Sequence, residues 1–103
     1  MLMVSTGSVP TKNITGILGL VTGSVVQSRR VGKDLFASLK SIVGGELVSY
    51  TERLEDSKKI VKERMEKEAK ELGGNALVGL HFEMAAGQGS SELIGYGTAV
   101  IIE

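Results

Sequence analysis

The chain has 103 residues, room for one compact domain and no more. With 42% hydrophobic and 23% charged residues it has the composition of a folded globular protein, not of a disordered or fibrous one. Twelve Lys+Arg offset twelve Asp+Glu, so the electrostatic footprint of a nucleic-acid or anionic-membrane binder is missing. The chain contains no cysteine, which excludes a disulfide framework, a thiol nucleophile, thiolate zinc sites and iron–sulfur clusters.

Met1 to Pro10 has neither the basic nor the apolar part of a signal peptide, and reads as an arm or short edge strand within residues 1–12. No apolar run approaches the roughly 20 residues needed to cross a bilayer, and a cytoplasmic location is expected. Ile14 to Val26 is β-branched and punctuated by glycine, which predicts a strand bent near Gly19 or Gly23. Gln27 to Lys33 is a polar loop carrying Arg29, Arg30 and Lys33. Asp34 is then placed to cap a short helix whose apolar stripe is Leu35, Phe36, Leu39, Ile42 and Val43, stopped by Gly44 and Gly45.

A long helix follows from about Ser49 to Leu72, with apolar positions at Tyr50, Leu54, Val61, Met65, Ala69 and Leu72. Its remaining surface is a solvated face of alternating charge; pairs such as Glu55–Lys59, Glu63–Lys67 and Glu66–Lys70 have the favourable i,i+4 order. Gly73 and Gly74 end it. Residues 75–84 and 93–102 read as two further strands joined by a loop over 85–91. The element order is β-α-α-β-β.

The strands carry an anomaly. In a sheet with one solvated face, apolar and polar residues alternate. Simple alternation puts Ala76, Val78, Leu80, Phe82 and Met84 on one side of the second strand and Leu77, Gly79, His81 and Glu83 on the other. In the last strand both sides are apolar: Ile94, Tyr96, Thr98, Val100 and Ile102 against Leu93, Gly95, Gly97, Ala99 and Ile101. One helix covers one face. Other copies of the chain are the simplest cover for the second, with glycine-rich strands meeting backbones across subunits. The alternative is a monomer whose helices and N-terminal arm share the two faces.

Candidate chemistry is sparse. His81 is the single histidine, and Asp34 and Asp56 are the only aspartates. No nucleophile elbow surrounds any serine, and Gly95-Tyr96-Gly97 starts like a dinucleotide fingerprint but no helix follows it. Catalytic residues are therefore not expected. His81 and Glu83 stand at i and i+2, on one side of a strand and about 7 Å apart by the rise per residue. Imidazole and carboxylate both ligate borderline divalent metals, and symmetry in an oligomer would multiply the pair. The alternative is a hydrogen-bonded strand histidine beside a wet rim. Arg29, Arg30 and Lys33 before a helix could seat an anion, and no aromatic platform suggests single-stranded nucleic acid.

Four stretches, Gly19–Val26, Lys33–Gly45, Ala69–Leu80 and Gly97–Val100, give the chain a resemblance to the YbjQ-like family, small bacterial and archaeal proteins labelled as a heavy-metal-binding domain of unassigned function. The resemblance implies one domain over 1–103 of class α+β. It implies a three-stranded antiparallel sheet of order 1-3-2 on one long helix, a two-layer unit like a dodecin subunit, assembling into a pentameric ring. It supplies no ligand residues. The expected function is a non-enzymatic, cytoplasmic homo-oligomer that binds a divalent metal or small ligand at subunit interfaces, without nucleic-acid or membrane partners. The alternative is a structural or protein-interaction module presenting its charged helix, Lys59, Lys62 and Lys67 included.

Overall fold

The computed structural model describes residues 1–27, 48–87 and 90–103. Along the chain they form β1 (Leu2–Met3), β2 (Ile14–Gln27), α1 (Val48–Glu71), β3 (Ala76–Gly87) and β4 (Ser90–Ile102). The short helix expected after Asp34, and the basic loop with Arg29, Arg30 and Lys33, lie outside the described residues.

The class is α+β, and the sheet has the order β1-β3-β4-β2. β4 pairs antiparallel with both β2 and β3, while β1 pairs parallel with β3. The three long strands thus keep the expected 1-3-2 order. The sheet is nevertheless four-stranded and mixed, not three-stranded and antiparallel, because the N-terminal arm adds a short parallel edge strand. The hairpin is also longer than expected. Ala85, Ala86 and Gly87 pair with Glu92, Ser91 and Ser90, so most of the segment read as a loop continues the ladder.

α1 forms where the sequence repeats apolar or small residues at helical spacing: Leu54, Ser57, Val61, Met65 and Ala69. Its end is a Schellman motif. Gly73 takes φ 89° and donates to the Lys70 carbonyl at 2.9 Å, and Gly74 donates to the Ala69 carbonyl at 2.9 Å. Asn75 then ties the turn to the end of β4: its side chain donates to the Ile102 carbonyl at 2.9 Å and accepts from the Ile102 amide at 2.8 Å.

The main core lies between α1 and the sheet, where Val61, Met65 and Ala69 bury completely against Val21, Leu77 and Ala99. Gly23 and Gly95 face each other across β2 and β4, directly beneath the helix. A Cβ on Gly95 would lie 2.6 Å from Val61 Cγ1 and 2.7 Å from Met65 Sδ, and one on Gly23 would lie 2.9 Å from the Val61 carbonyl oxygen. These two glycines therefore make room for the chain's own helix. The expectation that they meet backbones of other subunits is corrected: the short helix-to-sheet distance requires them.

A β-bulge in β3 changes which side chains share a face. Val78 pairs with Thr98 and His81 with Tyr96, so Gly79 and Leu80 together oppose Gly97. Gly79 sits at φ 62°, in the left-handed region. The arm satisfies the displaced amides: Gly79 donates to the Thr6 carbonyl at 2.8 Å and Leu80 to the Val4 carbonyl at 3.0 Å. The face assignment made from simple alternation is accordingly wrong across this point, because one extra residue inverts the alternation. Leu77, Leu80, Phe82 and Met84 share the helix side with Leu93, Gly95 and Ala99. Ala76, Val78, His81 and Glu83 share the other side with Val100, Thr98, Tyr96 and Ile94.

Candidate functional site

Among the described residues, the second face of the sheet is covered at one end only. There Val9 of the arm packs on Ala76, Val78 and Val100, with Val4, Ile14 and Ile102 around them. Of the two expected sources of cover, the arm supplies this end. Beyond that cluster the face is open among the described residues. Ile17, Leu20 and Val26 on β2 are 76%, 69% and 65% exposed.

His81 and Glu83 stand on this open face, both exposed and both on the stretch of β3 past the bulge. The bulge does more than reverse the alternation. His81 Nδ1 lies 2.8 Å from the carbonyl oxygen of Gly79. A carbonyl only accepts, so Nδ1 carries the proton and donates, and Nε2 keeps its lone pair for a ligand. A backbone contact of this kind, fixing tautomer and ring direction, is what a metal-ligating histidine uses. The ring is held from the other side by Tyr96, directly across the ladder, with centroids 5.7 Å apart and planes at 17°.

Tyr96 is the member of this group that sequence reasoning missed. The signal was present. Once the hairpin is taken to pair Gly87 with Ser90, counting outward puts Tyr96 opposite His81 and Ile94 opposite Glu83. A loop spanning 85–91 hides that register.

The described residues of one chain do not complete a metal site. Among the described residues no group of three or more His, Cys, Asp or Glu converges. The donors at hand are one imidazole and one carboxylate, a set that suits borderline ions and does not suit the thiophilic heavy metals. A groove of about 540 Å³ lies elsewhere, where Leu2, Met3 and Leu80 meet Lys59, Lys62 and Glu63; neither His81 nor Glu83 lines it. No helix among the described residues is long and apolar enough to cross a membrane.

At one corner of α1 the ammonium of Met1 lies 3.1 Å from Glu66, which also pairs with Lys70 at 3.5 Å. Of the expected i,i+4 pairs this last one is formed, whereas Glu55 pairs with Lys58 one residue earlier, at 2.6 Å. The hydrogen bond from the Met1 ammonium, then the charge of Lys70, holds the Glu66 carboxyl below its ordinary value. At the far end of the helix a buried polar chain links three elements: Gln27 donates to the Ser57 hydroxyl at 2.7 Å, and Ser91 donates to Gln27 at 3.3 Å.

Comparison with known proteins agrees with this architecture. A family model described as "Putative heavy-metal-binding", of the YbjQ type, matches residues 1–103. A UPF0145 protein of Bacillus velezensis is 65% identical over 103 residues, covering 100% of this chain and 93% of the relative. One of Hahella chejuensis is 47% identical over 104 residues, covering both chains fully at 100%. The crystal structure of a protein of unknown function from Pediococcus pentosaceus, assigned to the DUF74 family, superposes with a TM-score of 0.64 at 17% identity, over 100% of this chain and 98% of that one; at that identity it speaks for the fold alone. With a family match along its whole length and relatives this similar, the chain belongs to the YbjQ-like, UPF0145 family.

Proposed function

We propose that this protein is a non-catalytic, cytoplasmic binding protein that assembles into a ring, and that His81 and Glu83, repeated by symmetry, hold a borderline divalent cation or a small ligand at subunit interfaces. One observation carries the reading. His81 is exposed, its Nδ1 proton is committed to the Gly79 carbonyl, its ring is stacked on Tyr96, and its free Nε2 shares a face with the carboxylate of Glu83. Such a ring is oriented in advance, which lowers the ordering cost of binding. The family's heavy-metal description supports a metal, and the thiol-free donor set narrows it to ions such as zinc. Two donors per chain are too few for a closed site, so the reading requires symmetry-related copies. A ring with five members is the form taken here.

The test uses zinc itself as the probe. Thermal unfolding of the full chain is followed with increasing zinc and again after adding a chelator. Stabilisation should grow as RT ln(1 + [L]/Kd). His81→Ala should remove most of it and Glu83→Gln part of it, with the oligomer mass unchanged in native mass spectrometry. A zinc-induced shift that survives in His81→Ala, or none in the wild type, overturns the site.

A further inference from the structure

Two strand edges of this chain are open among the described residues, and they match. β2 pairs with β4 along one side, and no described strand lies on the other. The free side of β3 is occupied only at its start, by β1 at Ala76 and Leu77 and by the arm carbonyls of Val4 and Thr6 up to Leu80. From Phe82 to Gly87 it has no neighbour among the described residues. An open edge exposes a row of amides and carbonyls, and monomeric proteins guard such edges with lysine, proline or inward charge. β2 carries none of these in its own sequence, ITGILGLVTGSVVQ, although Arg64 of α1 reaches it and donates to the Ser24 carbonyl. Its side chains on the open face include Leu20 and Val26, both largely exposed. Flanking the other edge, Phe82 and Met84 are exposed on the helix side.

The directions also fit. β2 and β3 are each antiparallel to β4, so they run the same way. A rotation about an axis along the strands sets β2 of one copy beside β3 of the next, parallel, and repeating it closes a ring. Because β1 and the arm block the first part of β3, contact falls on the second part. Thr22 lies level with His81, Ser24 with Glu83 and Val26 with Ala85, each pair being matched through the same residue of β4.

We propose that the open edge of β2 in one copy pairs with the Phe82–Gly87 edge of β3 in the next, bringing the hydroxyls of Thr22 and Ser24 from the neighbouring copy beside His81 and Glu83. The inference rests on the ring reading and specifies its interface: the ligand site is composite, with imidazole and carboxylate from one subunit and hydroxyl oxygens from the next. Such oxygens are hard donors, which pulls the preference further from thiophilic metals.

Engineered disulfides test the pairing, since the chain has no thiol of its own. Val26→Cys is combined in turn with Ala85→Cys and with Gly87→Cys, where a Cβ meets nothing within 4 Å. Within one chain Val26 and Ala85 flank β4, about 9–10 Å apart at two strand spacings, beyond the roughly 3.5–4.5 Å between Cβ atoms that a disulfide needs. Oxidation can therefore link only different copies. The expected result is a covalent ladder that ends at the mass of the whole ring in at least one of the two double variants, and no linkage in any single variant. Dimers from Val26→Cys alone would show β2 meeting β2 and overturn the arrangement. So would a wild-type ring in native mass spectrometry whose double variants give no ladder, which leaves the ring standing and removes this interface. A wild-type monomer removes both.

Discussion

The two faces of one small sheet are built to opposite rules. On the helix side the sheet has been cut back: Gly23 and Gly95 give up their side chains so that Val61 and Met65 rest almost on the strand backbones. On the other side Ile17, Leu20 and Val26 stand out from β2 at full size, and among the described residues only the Val9 cluster nearby is covered. Close fit is the mark of a face that meets its partner within the chain. Full-sized apolar residues without cover are the mark of a face whose partner comes later. The contrast teaches that Gly23 and Gly95 report the distance of the helix, while the copies of the proposed ring are to be sought on the side with larger residues.

The sharpest test of the contrast removes the extra residue of the bulge, which seats the arm on the open face. Deleting Gly79 restores simple alternation in β3. Leu80 alone then opposes Gly97 and every remaining residue of β3 keeps its face, but the deletion removes the Gly79 carbonyl that orients His81 and the Gly79 amide that holds the arm at Thr6. With the arm and its Val9 cluster unseated, the deletion should cost about 3 kcal/mol, the upper end for a single change. Urea unfolding measures it. A loss below about 1 kcal/mol would mean that the arm seats itself without the bulge, and that the cover of this face does not depend on Gly79.

The bulge also marks how far the sequence could be read. The long strands and α1 follow from periodicity and glycine stops, to within a residue at the helix ends. So does the placing of His81 and Glu83 on one face, because both lie past the bulge and i,i+2 spacing survives there. What alternation could not supply is the phase between the two halves of β3. Six glycines interrupt the strands, each could mark a bulge, and only the arm amide acceptors, far away in sequence, select Gly79. The parallel pairing of β1 was hidden for a similar reason: two residues carry too little periodicity to announce a strand. Ser57 escaped because a small polar residue gives no apolar signal, although it is buried and bonded to Gln27.

A matched pair of substitutions sharpens the comparison. Gly95→Ala adds one methyl group beneath the helix, and overpacking there should cost about 1–3 kcal/mol. Leu20→Ser removes most of a side chain from the open face, yet at dilution that favours the single chain it should shift unfolding by no more than about 0.5 kcal/mol. Its effect should grow with protein concentration, as a contact between copies requires. Equal losses at all concentrations would place Leu20 under cover from its own chain and erase the difference between the faces.

The smallest effect belongs to the rim of the covered face, where the Met1 ammonium joins β1 to α1 through Glu66. Hydrogen bonding to that ammonium, and then the charge of Lys70, lowers the Glu66 carboxyl from its ordinary value of 4.5. A carboxyl depressed in the folded state binds its proton more readily when unfolded. Its contribution is therefore complete above the ordinary value and is lost as pH falls through the lower, folded one. Glu66→Gln should melt slightly below the wild type at neutral pH, and the gap should close as the pH is taken below about 4. Melting curves of the two proteins across that range decide it. A gap that stays constant in acid would assign the loss to packing of the side chain, and the rim would then hold without its charge.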